Sequence, residues 1–206
     1  MARLTGPFAK LAKADPVLAR LLAEHGQPST DRRPPASNYV ALVRSIVGQQ
    51  LSTKAARAIY GRVIDYFGGH PPTPEQILET DLDALRTAAG LSHAKTRYLH
   101  SLAEHVVDGS LALDQLDALP DEEIIAELTA IKGIGEWSAH MFLMFQLRRP
   151  DVLAVGDLGI RRAAERAYGL PALPTADELT AMAEPWRPYR TAACLVLWHS
   201  LDNAPA

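Results

Sequence analysis

The stretch Leu128-Thr129-Ala130-Ile131-Lys132-Gly133-Ile134-Gly135-Glu136-Trp137-Ser138-Ala139 decides the reading of this chain. A helical run ends at about Ala130, Lys132-Gly133-Ile134-Gly135 breaks it, and a second helix is predicted from about Glu136 to Leu147. Two glycines let the backbone turn tightly and lie close to another backbone. Ile134 between them is apolar and can tuck between the two helices. The amides that open the second helix lack intrahelical partners and carry the positive end of its dipole, which makes a seat for a phosphate. Such a hairpin holds DNA without reading its sequence. Gly-x-Gly alone also fits a plain interhelical turn. The apolar residue between the glycines, with small residues just beyond, favours the phosphate seat. Gly133, Ile134, Gly135 and Ser138 are therefore candidate DNA contacts.

Outward from the hairpin the chain reads as helix after helix, with no convincing strand series, no internal repeat and no low-complexity segment. Residues 7–23 are amphipathic with an interruption near Asp15-Pro16, and residues 27–35 are polar and proline-rich, hence a loop. Ser37 and Ser52 stand as caps before predicted helices over 38–48 and 53–67. Thr73-Pro74-Glu75-Gln76 is a capping box opening one helix that ends at Gly90. Ser92 caps a helix to about Val107, and Pro120-Asp121-Glu122-Glu123 opens one to Ala130 with its acids at the favourable end of the dipole. Further helices follow Asp157, follow the capping box Thr175-Ala176-Asp177-Glu178, and run from about Tyr189 to Leu201. The expectation is an all-α, two-lobed bundle of about ten helices with the hairpin at 128–139 between the lobes. Residues 38–147 would form a central lobe, and 1–37 with 148–206 a second lobe made of both termini.

Composition narrows the classes of function. At 206 residues, 48% of them hydrophobic, the chain can bury a sizeable core in one domain or two small lobes. One cysteine, Cys194, makes neither an internal disulfide nor a four-cysteine metal or cluster site, and suits a reducing compartment. No stretch approaches the ~18 apolar residues of a membrane span, and residues 1–10 lack the apolar run of a secretory signal, so a cytoplasmic protein is expected. The seven histidines are scattered, and no His/Cys/carboxylate grouping reads as a transition-metal site. A net charge of -3 is unusual for a nucleic-acid binder. The basic residues are clustered, however: Arg44, Lys54, Arg57 and Arg62 with no acid among them, then Arg148, Arg149, Arg161, Arg162 and Arg166. Each cluster also fits an ordinary solvated helix face. A protein that holds phosphates with backbone amides needs fewer cations.

Taken with its surroundings, the hairpin resembles that of the HhH-GPD superfamily of DNA glycosylases, in which a catalytic aspartate lies a little over twenty residues beyond it. Here Asp157 lies 22 residues past Gly135, within Val155-Gly156-Asp157-Leu158-Gly159-Ile160. The match is nearest the 3-methyladenine DNA glycosylase II (AlkA-type) group. It extends through Arg44-Ser45-Ile46-Val47-Gly48-Gln49-Gln50-Leu51-Ser52 and Gly90-Leu91-Ser92-His93-Ala94-Lys95, and through Trp186-Arg187-Pro188-Tyr189-Arg190 to Trp198, covering about residues 35–200. The chain looks like a short form without the N-terminal β-rich domain of longer relatives. It departs from them in carrying Val155-Gly156 where proline is usual, and Met141 at one aromatic pocket position.

The resemblance implies that the protein flips alkylated purines out of double-stranded DNA and hydrolyses the N-glycosidic bond in base excision repair. The expected substrates are 3-methyladenine and, by extension, 7-methylguanine, hypoxanthine or ethenoadenine. Cleavage builds positive charge on the sugar, and the Asp157 carboxylate would stabilise it. An aspartate before Leu-Gly-Ile is also a good helix N-cap. Relatives that also nick the backbone carry lysine where Trp137 stands, and an indole cannot form a Schiff base, so no lyase activity is expected. Trp137, Trp198, Trp186 and Met141 would form the base pocket, with core packing the rival role for Trp198. Aromatic faces suit cationic methylated purines. Gln49, Gln50 and Leu51 match the segment where relatives place a minor-groove wedge, Gln50 or Leu51 being the inserting residue. No cofactor is required; the carbonyls of Thr129, Ile131 and Gly133 match a Na+ or K+ site. A monomer suffices. A non-catalytic DNA-binding module, a glycosylase for oxidised bases or mismatches, and a helical protein–protein adaptor are the alternatives. They leave unexplained, respectively, the spacing of Asp157, the absent lysine and cysteine cluster, and the hairpin.

Overall fold

Short polar side chains open most of the helices. Ser37, Ser52, Thr73, Ser92, Asp157 and Thr175 each precede a helix and accept a hydrogen bond from an amide of its first turn, satisfying donors that no carbonyl of the helix reaches. Thr73 and Thr175 do so in reciprocal boxes with Gln76 and Glu178. The computed structural model describes residues 4–29 and 36–202; residues 30–35 of the loop expected over 27–35 lie outside them. The described residues form twelve α-helices and no strand: α1 (Gly6–Ala14), α2 (Pro16–His25), α3 (Asn38–Gly48), α4 (Thr53–Tyr66), α5 (Pro74–Glu79), α6 (Leu82–Ala89), α7 (His93–Val107), α8 (Asp121–Ala130), α9 (Glu136–Phe145), α10 (Leu158–Tyr168), α11 (Ala176–Met182) and α12 (Arg190–Asp202). Single 3-10 turns occur at Leu116–Ala118 and Glu184–Trp186. Among these residues no helix is long and apolar enough to cross a membrane.

The expected all-helical class holds, and two breaks raise about ten helices to twelve. Asp15 separates α1 from α2, its Oδ1 accepting the amides of Val17 at 2.8 Å and Leu18 at 3.2 Å, with Pro16 at the first helical position. The helix expected to run unbroken from Pro74 to Gly90 is interrupted at Thr80-Asp81. There the Asp81 carboxylate takes the amides of Asp83 and Ala84, an alternative to continuing the helix.

The chain forms two compact units, Pro35–Phe142 and Met1–Pro34 with Leu143–Ala206; the boundary falls within α9. In the first unit α3 packs on α4 and α7, α4 on α6, and α5 on α7. Its core includes Ile46, Val47, Val63, Ile77, Leu85, Leu99, Leu102, Leu116 and Leu128, all fully buried. Each such side chain contributes about 1.5–3 kcal/mol over leaving it in water.

In the second unit α12 packs on α2 and α10, and α1 on α2. Its core of Phe8, Leu11, Leu18, Ile160, Ala164, Leu179 and Leu197 encloses one buried carboxylate, Asp15. Oδ2 of Asp15 accepts the indole N–H of Trp186 at 2.8 Å and the phenol of Tyr168. Burial, then the Asp15 carboxylate accepting its proton, pushes the Tyr168 pKa upward. Four donors thus converge on one buried side chain, and they join the start of α2, the end of α10 and the 3-10 turn before α12.

Candidate functional site

The hairpin lies in the first unit. Between α8 and α9 the chain turns through residues 131–135. The amide of Ile134 donates to the Ile131 carbonyl at 3.1 Å, and Ile134 itself is 4% exposed. The two glycines serve different needs. Gly133 has φ +90, and a Cβ there would overlap the ring of Tyr98 on α7, so both backbone and packing demand glycine. A Cβ on Gly135 would meet nothing within 4 Å: the fold leaves open space outside this residue. Beyond it the first turn of α9 carries Trp137, 46% exposed, with half-buried Met141 one turn later. Ser138 is buried, so what it can offer outward is its backbone amide in the first turn of the helix.

The turn between α3 and α4 belongs to the same unit. The sequence matches Gln49, Gln50 and Leu51 to one wedge-bearing, DNA-facing segment, and the structure separates them. The Gln49 side chain turns inward, its Nε2 donating to the Gly133 carbonyl at 2.8 Å. Gln50 takes the left-handed conformation, φ +58, and is exposed, as is Leu51. Gln50 and Leu51 remain as residues that can reach outward.

Of the carbonyls matched to a monovalent cation, that of Ile131 accepts the Ile134 amide and that of Gly133 accepts Gln49. The Thr129 hydroxyl turns back to the Ile125 carbonyl at 2.7 Å. Neutral carbonyl oxygens suit a hard monovalent ion, and each has a second lone pair to offer.

Asp157 lies in the second unit, at the end of a loop over residues 148–156. Asp151 anchors that loop to the start of α12 through Arg190 Nε at 2.8 Å and Arg187 at 2.8 Å. Thr191 adds its hydroxyl, which donates to the Arg149 carbonyl at 2.7 Å and accepts the Val152 amide at 3.0 Å. Asp157 does cap α10, its Oδ1 accepting the Ile160 amide at 2.8 Å. The same oxygen accepts the indole N–H of Trp198 at 2.9 Å. A plain cap needs only the first of these bonds; the second comes from a helix far along the chain and fixes the rotation of the carboxylate. Gly159 makes room for this pairing, since a Cβ there would lie 3.0 Å from Asp157 Oδ1 and 3.2 Å from the Trp198 ring. Leu158 beside it is 47% exposed.

The tryptophans therefore divide. Trp198 is half-buried, joined to Asp157, and stacked on Phe145 with ring centroids 6.1 Å apart. Phe145 was not singled out in the sequence, although its place two turns beyond Trp137 on the same helix was a usable signal. Trp186 is fully buried against Asp15. This corrects its expected place in a base pocket: no ring face is available, and its polar N–H is satisfied inside the core.

The basic clusters also divide. The Arg44 guanidinium lies over the Tyr60 ring at 5.0 Å. Arg62 Nε donates to the Ala89 carbonyl at the end of α6, and Arg161 Nε to the Pro174 carbonyl. These three brace the fold, whereas Lys54 and Arg57 are exposed on α4.

Comparison with known proteins adds the following. The family described as HhH-GPD superfamily base excision DNA repair protein matches residues 43–188. DNA-3-methyladenine glycosylase 1 of Schizosaccharomyces pombe is 40% identical over 162 residues, 78% of this chain and 71% of that protein. The structure of the S. pombe 3-methyladenine DNA glycosylase in complex with abasic DNA superposes with a TM-score of 0.86 at 35% identity, covering 97% of this chain and 98% of that one. A DNA-3-methyladenine glycosidase from Bacillus halodurans superposes with a TM-score of 0.83 at 40% identity, covering 97% and 90%.

Proposed function

We propose, for a chain that belongs to the HhH-GPD superfamily of base excision DNA repair proteins, the role of a DNA glycosylase that removes alkylated purines and leaves an intact abasic site. The observation that carries this reading is the Asp157 carboxylate, held on one oxygen by both the Ile160 amide and the Trp198 indole. A carboxylate locked in rotation is suited to a fixed position beside a sugar.

In the reaction the bond from C1′ to the base nitrogen breaks with its electron pair going to the base. Positive charge develops at C1′, and the oxygen of water bonds there while a proton is released. Asp157 stabilises the developing charge, and it does so with little reorganisation because its partners already hold it. Flipping the nucleotide exposes the base to aromatic surface, which the exposed ring of Trp137 supplies. No amine stands at that position, so the enzyme hydrolyses without a Schiff base. The hairpin amides around Gly135 seat a phosphate, and Gln50 or Leu51 fills the vacated stack. A Na+ or K+ on the carbonyls of Thr129, Ile131 and Gly133 would add positive charge facing that phosphate. The partner is duplex DNA carrying damaged bases, met by a monomer where chromosomal DNA is housed. Lesions range from 3-methyladenine to 7-methylguanine, hypoxanthine and ethenoadenine, the adaptable side chain of Met141 broadening that range.

The test is base release from methylated duplex DNA by the wild type and by Asp157→Asn, whose amide oxygen can still cap α10. The wild type frees methylated purines and leaves unbroken abasic DNA. The variant retains DNA binding and loses at least about 100-fold in rate. Binding without release of any tested base by the wild type would leave a DNA-holding module instead.

A further inference from the structure

Lys95 stands on α7 beside the turn between α3 and α4. Counted by charge, it would be one more phosphate contact. Its Nζ instead donates to the carbonyls of Val47 and Gln49, both at 2.8 Å. These belong to the last turn and the C-cap of α3, where carbonyls lack amide partners and the helix dipole is negative. The ammonium is partly withdrawn from water, and that burial lowers its pKa.

Two further contacts extend the arrangement. Gln49, whose carbonyl Lys95 holds, sends its own side chain to the Gly133 carbonyl at 2.8 Å. Tyr98, one turn beyond Lys95 on α7, occupies with its ring the space that a side chain at Gly133 would need. One helix therefore supports the exposed Gln50-Leu51 turn and the glycine hairpin together, and Gln49 ties the two directly. Gln50 sits in the left-handed region, a conformation that is unfavourable for a residue with a side chain. It needs surroundings that hold it there.

We infer that Lys95 and Gln49 are positioning residues: they lock the turn carrying Gln50 and Leu51 in register with the hairpin, so that both meet one duplex at a set spacing. This rests on the reading of the hairpin and turn as the DNA-binding face. Lys95 then serves base release without itself binding phosphate, and Gln49 serves it without touching a base.

The experiment compares wild type, Lys95→Met, Lys95→Arg and Gln49→Leu, each first confirmed as folded by thermal unfolding. Hydrogen exchange of the DNA-free protein is read over residues 48–52 and 131–135. Faster exchange in both segments of Lys95→Met and Gln49→Leu is expected, with exchange elsewhere unchanged; unaltered protection in either segment overturns the clamp. This arm does not depend on activity. On methylated duplex DNA, single-turnover base release by Lys95→Met and Gln49→Leu falls about 10- to 100-fold, as a misplacement near 1 Å can produce, and Lys95→Arg recovers most of it. The salt slope of binding to an undamaged duplex stays at the wild-type value. A drop of about one in that slope for Lys95→Met would identify a phosphate contact and overturn the proposal, as would an unchanged rate of release. Failure of the wild type itself to bind DNA or release bases would refute the glycosylase reading, and the exchange result would still judge the clamp.

Discussion

Adding one methyl group at Gly159 should slow base release while costing little stability. Gly159 lies in the first turn of α10, two residues after Asp157, and its φ is outside the left-handed region, so alanine suits its backbone. In a helix interior alanine is favoured over glycine by about 1 kcal/mol. Near the helix start the gain is smaller but of the same sign. Against it, the new Cβ would lie 3.0 Å from Asp157 Oδ1 and 3.2 Å from two atoms of the Trp198 ring. These neighbours must each withdraw by several tenths of an ångström. The 2.9 Å bond between them then lengthens or the carboxylate rotates. A hydrogen bond to a charged group contributes about 1.5–3 kcal/mol, so full loss of it in the transition state corresponds to a rate reduction of about 10- to 100-fold. Gly159→Ala should therefore lose only about 1–2 kcal/mol of stability, the helix gain offsetting part of the lost bond, bind undamaged duplex normally, and release methylated bases more slowly by that factor. Trp198→Phe, which removes the donor and keeps a ring against Phe145, should lose a similar factor. The double variant should lose little more than either alone, because both act on one bond. Wild-type release rates in Gly159→Ala, or fully multiplicative losses in the double variant, would refute the view that the indole positions the carboxylate.

Asp15→Ala should destabilise the protein by about 3–5 kcal/mol in urea unfolding, since it removes a helix cap and leaves two donors, on buried Trp186 and half-buried Tyr168, without their acceptor. A loss below about 1 kcal/mol would mean that these donors find other partners. The two hairpin glycines should respond differently to alanine. Gly133→Ala collides with Tyr98 and strains a backbone at φ +90, so it should lower both the melting temperature and DNA affinity. Gly135→Ala meets open space and should leave melting unchanged while weakening DNA binding, because its methyl occupies the place of the phosphate; equal melting losses in the two variants would remove that distinction.

What was legible in the sequence was what depends on neighbours in the chain. Ser37, Ser52, Thr73, Ser92, Asp157 and Thr175 cap helices because a hydroxyl or carboxylate reaches an amide two or three residues on, whatever the rest of the molecule does. The break at Thr80-Asp81 escaped for a related reason. Ile77 and Leu85, both fully buried, are spaced as they would be on one uninterrupted helix, so the apolar period continues across the gap. Gly133 was legible as a required glycine, although the ring that enforces it, Tyr98, was not.

The partners of long side chains were not legible, because they are set by packing between segments distant in sequence. Trp198 and Trp186 look alike as residues, yet one indole N–H meets Asp157 and the other meets Asp15 in the core. The same limit applies to charge. Arg62, Arg161 and Lys95 count as cations in the sequence, but their nitrogens are bound to backbone carbonyls, and Arg187 and Arg190 are bound to Asp151. In a chain whose net charge is already -3, committing these cations internally leaves the phosphate backbone to amide donors at the hairpin and to exposed residues such as Lys54, Arg57 and, in the hairpin itself, Lys132. Amide contacts add no cation of their own, so binding of this kind should release few counterions and depend only weakly on salt. The wild-type salt slope in the Lys95 series measures this directly. A steep slope would require phosphate-binding cations beyond this set and would shift the burden of binding away from the hairpin.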